Sequence, residues 1–160
     1  MTTPQRPGER RRHIVARATE VADGERIIVE VDGKSIGIFN VEGRFYALLN
    51  RCPHQGAALC KGDVLRTKVT SSAPGEFEFD TDAHSLICPW HGWEYELATG
   101  KSWWDGRHSR VRAYEVEVEH GVELANAIEE AEKSGDRVEG PYVAVVVPIS
   151  IEDDYIVLTI

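Results

Sequence analysis

Cysteine is scarce in this sequence, and its scarcity limits the kinds of protein that the chain can be. The 160 residues include three cysteines. A small, odd number of cysteines argues against the disulfide framework that supports small secreted domains. Three thiols and the six histidines are still enough for one metal site. A length of 160 residues is typical of one domain with a single hydrophobic core.

Long apolar runs are absent as well. The longest, residues 143–148, is far shorter than the ~20 residues that span a bilayer. Paired arginines near the N-terminus suggest a twin-arginine export signal, but the residues that follow are interrupted by Arg17 and Glu20 and contain no apolar signal core. We therefore expect residues 1–12 to form a flexible basic tail and the chain to be cytoplasmic, where thiols stay reduced.

Basic residues are outnumbered by acidic ones. The chain has 18 Lys and Arg against 27 Asp and Glu, for a formal net charge of −9. This balance argues against nucleic acid as a partner, because phosphate binding needs a basic surface. Residues 113–140 contain nine of the acids and two of the bases, so this segment alone has a net charge of −7. Such a segment is a solvated face or, alternatively, a docking surface for a basic partner.

Alternating apolar and polar residues predict short strands along most of the chain. Asp32-Gly33 and Glu42-Gly43 are typical of tight turns, so the strands around them should form an antiparallel meander. The predicted fold class is all-β, a small antiparallel β-sandwich or barrel with one short C-terminal helix at residues 123–133, before Gly135. The predicted strands cover residues 13–21, 26–31, 35–41, 44–49, 76–80, 93–97, 110–119, 142–147 and 155–160.

Two loops carry the residues with metal-binding chemistry. The first has the sequence CPH at residues 52–54, and the second has CPWHGW at residues 88–93. Each supplies one thiol and one imidazole, with proline directly after the cysteine and glycine shortly after the histidine. Proline fixes the backbone beside the ligand, and glycine allows a tight turn. Two such loops facing each other would offer two sulfur and two nitrogen ligands.

The mixture of ligand types within each loop favours a binuclear iron–sulfur site. Zinc fingers usually present a cysteine pair followed by a histidine pair, whereas here each loop mixes the two. A cluster in which one iron takes two cysteines and the other takes two histidines is the Rieske [2Fe–2S] arrangement. The chain thus resembles a Rieske iron–sulfur protein. A zinc site and a copy that has lost its cluster are the alternatives.

The resemblance implies a role for each loop residue. Cys52 and Cys88 would bind the inner, ferric iron, and His54 and His91 would bind the outer, redox-active iron near the surface. The similar stretch runs from about residue 14 to 118. The family fold is an antiparallel β domain of three sheets in which the two loops cap one end. We accordingly predict one Rieske domain at 13–160, with a cluster-binding subdomain at about 50–105 and a C-terminal extension at 123–160.

The sequence departs from the high-potential respiratory relatives at the cluster loops. Those proteins join their loops by a disulfide, and the matching positions here are Ala57 and Trp90. They also donate a serine hydroxyl to a cluster sulfur, where this chain has Trp93, although Tyr95 keeps the aromatic hydroxyl. Fewer hydrogen bonds to sulfur lower the reduction potential, which we expect at roughly −150 to 0 mV.

The spacing between the loops is also unusual. Between His54 and Cys88 lie 33 residues, 55 to 87, about twice the number usual in the family. The excess predicts a β-hairpin insertion at residues 65–83, which either shapes the choice of partner or is a neutral surface elaboration. Cys60 has no counterpart, and we interpret it as a free thiol packed under the first loop.

The remaining aromatic and imidazole side chains have simpler interpretations. We expect His13, His108 and His120 at the surface, and no ligand role for His84. All four tryptophans lie between residues 90 and 104. They would form a hydrophobic wall that shields the cluster, or a docking patch for a partner at the exposed histidine end.

A Rieske centre by itself carries electrons and needs no catalytic residues. The second loop also resembles the Rieske domain of ring-hydroxylating oxygenases, which need a further large domain with a mononuclear iron. The 42 residues after Val118 cannot build that domain. We therefore predict a ferredoxin that takes electrons from a flavin reductase and passes them to an oxygenase, without membrane or nucleic acid partners. A permanently bound small Rieske subunit of a larger oxidoreductase, or a redox or iron–sulfur sensor, are the alternatives.

Overall fold

A computed structural model describes residues 10–71, 73–102, 105, 107–134 and 152–160. It confirms an antiparallel, mostly β fold with one α-helix. The strands are β1 Arg12–Arg17, β2 Arg26–Val31, β3 Lys34–Val41, β4 Arg44–Leu49, β5 Val64–Leu65, β6 Lys68–Thr70, β7 Glu78–Asp80, β8 Ser85–Ile87, β9 Glu94–Glu96, β10 Ala113–His120 and β11 Asp154–Thr159, and the helix is α1 Gly121–Ser134. The strand predicted at 142–147 and the helix stop predicted at Gly135 lie outside the described residues.

The chain divides into two compact units, one of which combines residues 1–18 with 115–160. In this unit β11 pairs antiparallel with β1 on one side and with β10 on the other. Helix α1 begins directly after β10, two residues before the predicted start at residue 123. Leu124 of the helix packs with Tyr155 and Val157 of β11, and Ile14 of β1 borders this cluster.

Arg11 and Arg12, the last two residues of the predicted tail, pair with the end of the chain. Strand β1 begins at Arg12, and Arg11 exchanges two backbone hydrogen bonds with Ile160 at 2.8 and 2.9 Å. His13 is buried, so its predicted surface position is wrong. It lies opposite Leu158 of β11, a fully buried residue, and the alternation of the strand turns both side chains to the covered face.

The second unit, residues 19–114, contains the predicted meander of β2, β3 and β4. Its two turns follow directly from the sequence. The values of φ are 49° at Asp32 and 71° at Gly33, and 55° at Glu42 and 79° at Gly43. Positive φ at both central residues defines the type I′ turn, whose twist matches that of the flanking strands.

A smaller sheet of the same unit carries the second loop. Its strand order is β5-β8-β9, and the loop at 88–93 connects β8 to β9. The first loop follows β4 and ends at a 3₁₀ turn, Leu59–Lys61. Strands β6 and β7 form a hairpin between β5 and β8, within the residues predicted as an insertion.

The core of this unit lies beneath both loops. One cluster of buried side chains there contains Phe39, Val41, Leu48, Cys52, Ala57, Leu59, Cys60, Leu86, Cys88, Tyr95, Leu97 and Val111. Full burial of a large apolar side chain contributes roughly 1.5–3 kcal/mol to folding, so the loops are held by the same packing that holds the sheets. In the parts of the chain that the structure describes, no helix is long and apolar enough to cross a membrane.

Candidate metal centre

The backbone of the first loop closes on itself through two hydrogen bonds. The N–H group of Cys52 donates to the carbonyl of Ala57 at 2.9 Å, and the N–H group of Gly56 donates to the carbonyl of Cys52 at 2.7 Å. Gly56 has φ of 81°, a left-handed conformation in which glycine carries no steric penalty. The glycine that follows the histidine is therefore what allows the loop to turn back at this point.

The second loop repeats the same frame. The N–H group of Cys88 donates to the carbonyl of Trp93 at 2.7 Å, and the N–H group of Gly92 donates to the carbonyl of Cys88 at 3.0 Å. Gly92 has φ of 72°. In both loops the bonds join the cysteine to the residues four and five positions later, although the histidine stands two positions after the cysteine in one loop and three in the other.

The two loop cysteines lie next to each other in the interior. Both thiols are buried, and neither forms a disulfide. Burial raises the pKa of the Cys88 thiol, the N–H groups of Trp90 and His91 oppose this shift, and the neighbouring Cys52 thiol adds to it. Donors aimed at sulfur stabilise a thiolate, which is the form that binds metal.

The two loop histidines meet at the exposed end of the site. The ring centroids of His54 and His91 are 4.9 Å apart, with their planes at 84°. The imidazole of His54 also stacks on the indole of Trp93, at 4.6 Å between centroids and 19° between planes. Trp90 meets His91 edge-on at 6.3 Å, and 60% of its surface is exposed. Both imidazoles are exposed to solvent, in contrast to the thiols.

Tyr95 lies beside the buried end of the site. Its phenolic oxygen is 3.4 Å from Sγ of Cys52 and 3.4 Å from Oγ of Ser109. Burial is the main cause that raises the pKa of this phenol, and its hydrogen bond to Cys52 raises it further. The phenol therefore keeps its proton near neutral pH and can donate it to a cysteine thiolate.

The donor set fits a binuclear cluster better than a single metal ion. A structural zinc site takes four protein ligands at a single ion. A Rieske cluster takes two cysteines at one iron and two histidines at the other. Two buried thiols and two exposed imidazoles match the second pattern.

Cys60 lies in the core and makes contacts of its own. Its Sγ lies 3.5 Å from the carbonyl oxygen of Leu48, and its backbone N–H group donates to Oδ1 of Asn50 at 2.8 Å. Burial raises the pKa of this thiol to about 12. A Cβ placed on Gly37 would collide with the sulfur, so the thiol fills the space that this glycine leaves.

The other histidines have partners outside the two loops. His84 is buried, with Nδ1 3.4 Å from the hydroxyl of Tyr46 and Nε2 3.6 Å from a Glu42 carboxylate oxygen. His108 and His120 are exposed, as predicted. They pair with Asp105 at 3.0 Å and Asp154 at 2.6 Å.

Two features of the site were missed by sequence reasoning. Trp93 of the second loop stacks on His54 of the first. The sequence predicts only that the tryptophans form a hydrophobic wall or a docking patch. Ser109 stands beside Tyr95 although no motif marks it. Trp103 and Trp104, the other members of the predicted wall, lie outside the described residues.

The fold and the donor set together define an all-β iron–sulfur domain. A family model described as the Rieske [2Fe-2S] domain matches residues 11–115. The chain therefore belongs to the Rieske [2Fe–2S] domain family, and its cofactor is a [2Fe–2S] cluster.

Similar proteins of known role are ferredoxins of oxygenase systems. The ferredoxin component of the naphthalene 1,2-dioxygenase/salicylate 5-hydroxylase systems of Ralstonia is 25% identical over 101 residues, which cover 63% of this chain and 81% of the relative. The ferredoxin subunit of the 3-phenylpropionate/cinnamic acid dioxygenase of Escherichia coli is 28% identical over 102 residues, covering 64% and 80%. The family and these relatives confirm the predicted class, an electron-transfer protein.

Solved structures show the same fold. The ferredoxin of carbazole 1,9a-dioxygenase from Nocardioides aromaticivorans matches with a TM-score of 0.50 at 22% identity, covering 68% of this chain and 90% of the other. A protein assigned as the small subunit of an NADH-dependent nitrite reductase from Mycobacterium tuberculosis matches with a TM-score of 0.57 at 16% identity, covering 95% and 96%. The second match extends the shared fold over nearly the whole chain.

Proposed function

We propose that Cys52, His54, Cys88 and His91 hold the [2Fe–2S] cluster, and that the chain carries single electrons from a reductase to an oxygenase. The observation that carries this proposal is that the site has a buried end and an exposed end. Two adjacent thiols are buried, while two imidazoles 4.9 Å apart face the solvent. When bound, the cluster supplies a centre that gains and loses one electron.

The cysteines and the histidines have different roles at the two ends of the site. Cys52 and Cys88 anchor the inner end and exclude water from it, because both lie in the hydrophobic core. His54 and His91 bring the outer end to the surface, where a partner can approach. An imidazole that binds metal through one nitrogen keeps an exposed second nitrogen, which can hold or release a proton as the charge of the site changes.

The choice of partners rests on the relatives. Ferredoxin components of dioxygenase systems match 63% and 64% of this chain. We infer a flavin-containing reductase as the electron donor and an oxygenase as the acceptor. Three free cysteines, two of them in the metal site, are suited to the reducing cytoplasm, which we infer as the location.

Spectroscopy of ligand variants tests the cluster assignment. The wild-type protein, reduced with dithionite, should give the rhombic EPR signal of a Rieske centre. Cys88→Ser and His91→Cys should each abolish that signal. Cys60→Ala is the matched control, because it removes a buried thiol that is not placed in the site, and it should keep the signal. An unchanged rhombic signal in either ligand variant would refute the assignment.

A permanently bound small subunit is the second candidate function. The observation that favours it is the fold match over 95% of this chain to a protein assigned as a small subunit. Gel filtration of the native complex from its source cells distinguishes the two candidates. A ferredoxin elutes on its own, whereas a fixed subunit co-elutes with a larger oxidoreductase in a constant ratio.

A further inference from the structure

The inserted hairpin has one face made of exposed apolar side chains. Strands β6 and β7 pair so that Val69 lies directly opposite Phe79. Phe77 lies directly before β7 and two residues before Phe79, the spacing that places side chains on one side of a strand. The exposed fractions are 54% for Val69, 65% for Phe77 and 69% for Phe79. We call these three residues the hairpin face.

Such a face is unusual on a protein that works alone. Alternation of apolar and polar residues normally directs the apolar side into a core, yet both phenylalanines are about two-thirds exposed. A two-stranded hairpin gains little stability by itself in water, and contiguous exposed apolar surface is typical of interaction sites. The hairpin face therefore has the properties of a surface that is covered in a complex.

The charges around the hairpin face indicate what covers it. Residues 68–82 contain four acids and one base. Glu76, Glu78, Asp80 and Asp82 alternate with the phenylalanines and the turn residues. An apolar centre with an acidic border is complementary to an apolar patch ringed by lysine or arginine.

We propose that the hairpin face is the docking site for a redox protein that presents an apolar patch within a basic rim. This inference rests on the proposed function, because it assigns the partner surface of an electron carrier. The hairpin is close to the metal site along the chain: β7 ends at Asp80, eight residues before Cys88. Eight residues of chain span at most about 29 Å. A standard interface is roughly 30 Å across and can include both features.

The acidic segment at 113–140 is the competing docking surface. Several of its acids already have basic partners within the chain. Arg10 lies 3.7 Å from Glu115, and Arg12 pairs with Glu117 at 3.7 Å and also with Glu119. Lys133 pairs with Glu129 on α1. These pairs reduce the negative charge that this segment can offer, and the hairpin combines its acids with exposed aromatic rings.

Electron transfer to a basic redox protein tests the docking site. The probe is ferric cytochrome c, whose exposed haem edge is ringed by lysines, and the measured quantity is the second-order rate constant of its reduction by the dithionite-reduced holoprotein. Phe77→Ser with Phe79→Ser should lower this rate constant at least about tenfold, as loss of aromatic anchors does at interfaces. Glu76→Gln with Glu78→Gln should lower it about threefold and weaken its dependence on salt.

Matched variants on α1 serve as controls. Val122→Ser removes an exposed apolar side chain, and Glu123→Gln with Glu130→Gln removes the same charge as the hairpin pair. Both should leave the rate constant within about twofold of wild type. The proposal is overturned if the hairpin variants stay within twofold, or if the α1 variants lose as much rate as the hairpin variants.

Two further measurements exclude other occupants of the hairpin face. Gel filtration that shows a wild-type dimer and a monomeric Phe77→Ser, Phe79→Ser variant would overturn the proposal in favour of a second copy of the chain. A lower unfolding temperature of that variant with an unchanged rate would overturn it in favour of a contact within the chain.

Reduction of benzoquinone serves as a control. This small neutral oxidant needs no docking site, so its rate of reduction should be equal in all variants.

Failure of the docking site and failure of the carrier function give different results. A wild-type protein that shows no rhombic EPR signal and reduces neither benzoquinone nor cytochrome c would refute the carrier function. A protein with the signal and with normal benzoquinone reduction, whose hairpin variants reduce cytochrome c at the wild-type rate, would refute the docking site alone.

Discussion

The phenolic oxygen of Tyr95 lies 3.4 Å from Sγ of Cys52, between that sulfur and the hydroxyl of Ser109. Tyr95 belongs to β9 and Cys52 to the loop after β4, so this contact connects the small sheet with the meander. Since the phenol is buried and burial raises its pKa, it keeps its proton near neutral pH and can donate it to the sulfur. The structure thereby supplies one hydrogen bond to a cysteine sulfur of the metal site.

Removal of this hydroxyl should lower the reduction potential. In Tyr95→Phe the hydrogen bond that stabilises the more negative, reduced state is lost. One such bond is worth about 0.5–1.5 kcal/mol, which corresponds to a decrease of about 20–60 mV for a one-electron couple. Protein-film voltammetry measures the shift. Tyr46→Phe, which removes a hydroxyl beside His84 instead, should keep the wild-type potential; an unchanged or higher potential in Tyr95→Phe would contradict the role of the phenol.

The potential of the wild-type protein should lie at the low end of the Rieske range, at roughly −150 to 0 mV. Trp93 stacks on His54 and presents no hydroxyl to the site. Ala57 and Trp90 exclude the disulfide between the loops that high-potential relatives have. Voltammetry near neutral pH provides the value, and a potential above about +200 mV would show that other donors replace the missing hydrogen bonds.

The stack of Trp93 on His54 should slow the loss of the cluster. Aromatic pairs contribute about 0.5–1.5 kcal/mol beyond their burial, so Trp93→Ala should lose the cluster about 2 to 10 times faster. The decay of visible absorbance in the presence of an iron chelator gives the rate. Trp93→Phe keeps a ring at this position and should be close to wild type. Equal decay in Trp93→Ala and wild type would show that the stack does not hold the imidazole.

Cys60 should make the folded state less stable at alkaline pH. Burial raises the pKa of its thiol from 9.0 to about 12. Above pH 9 the thiol of the unfolded chain ionises while that of the folded chain stays neutral. Stability that is fully present below pH 9 therefore declines as the pH rises toward 12, by roughly 1 kcal/mol at pH 10.

Thermal unfolding at pH 8 and pH 10 measures this effect. The decrease in Tm between the two pH values should be about 2–4 °C smaller in Cys60→Ala than in wild type, because the variant has no thiol to ionise at this position. The comparison within each protein removes the cost of the substitution itself. The same decrease in both proteins would show that the Cys60 thiol does not contribute.

The parts of the fold that could be predicted are those encoded by neighbouring residues. The Asp32-Gly33 and Glu42-Gly43 turns were predicted correctly, since residues of these types favour positive φ. The CPH and CPWHGW motifs predicted both loops, because proline fixes the backbone beside each cysteine and the glycine after each histidine allows a tight turn. The assignment of Cys52, His54, Cys88 and His91 as cluster ligands stays a prediction until the EPR variants are measured, as do the domain boundaries.

The parts that could not be predicted depend on residues that are distant in sequence. His13 is buried because β11, at the other end of the chain, lies beside β1. The stack of Trp93 on His54 requires the two loops to be placed together by two sheets. The alternation at Phe77 and Phe79 predicted a strand pair, and the structure has a hairpin there, but a strand pattern does not reveal that its apolar side chains are more than half exposed.

The two loops have the same backbone hydrogen bonds although their histidines stand at different positions. Each frame is set by backbone groups of a cysteine, a glycine in the left-handed conformation and the residue after that glycine. The position of the histidine within the turn, third or fourth residue, does not alter it. One backbone turn is therefore compatible with an imidazole donor at either of two neighbouring positions, so the reach of each loop toward the exposed end is set by the placement of a single residue.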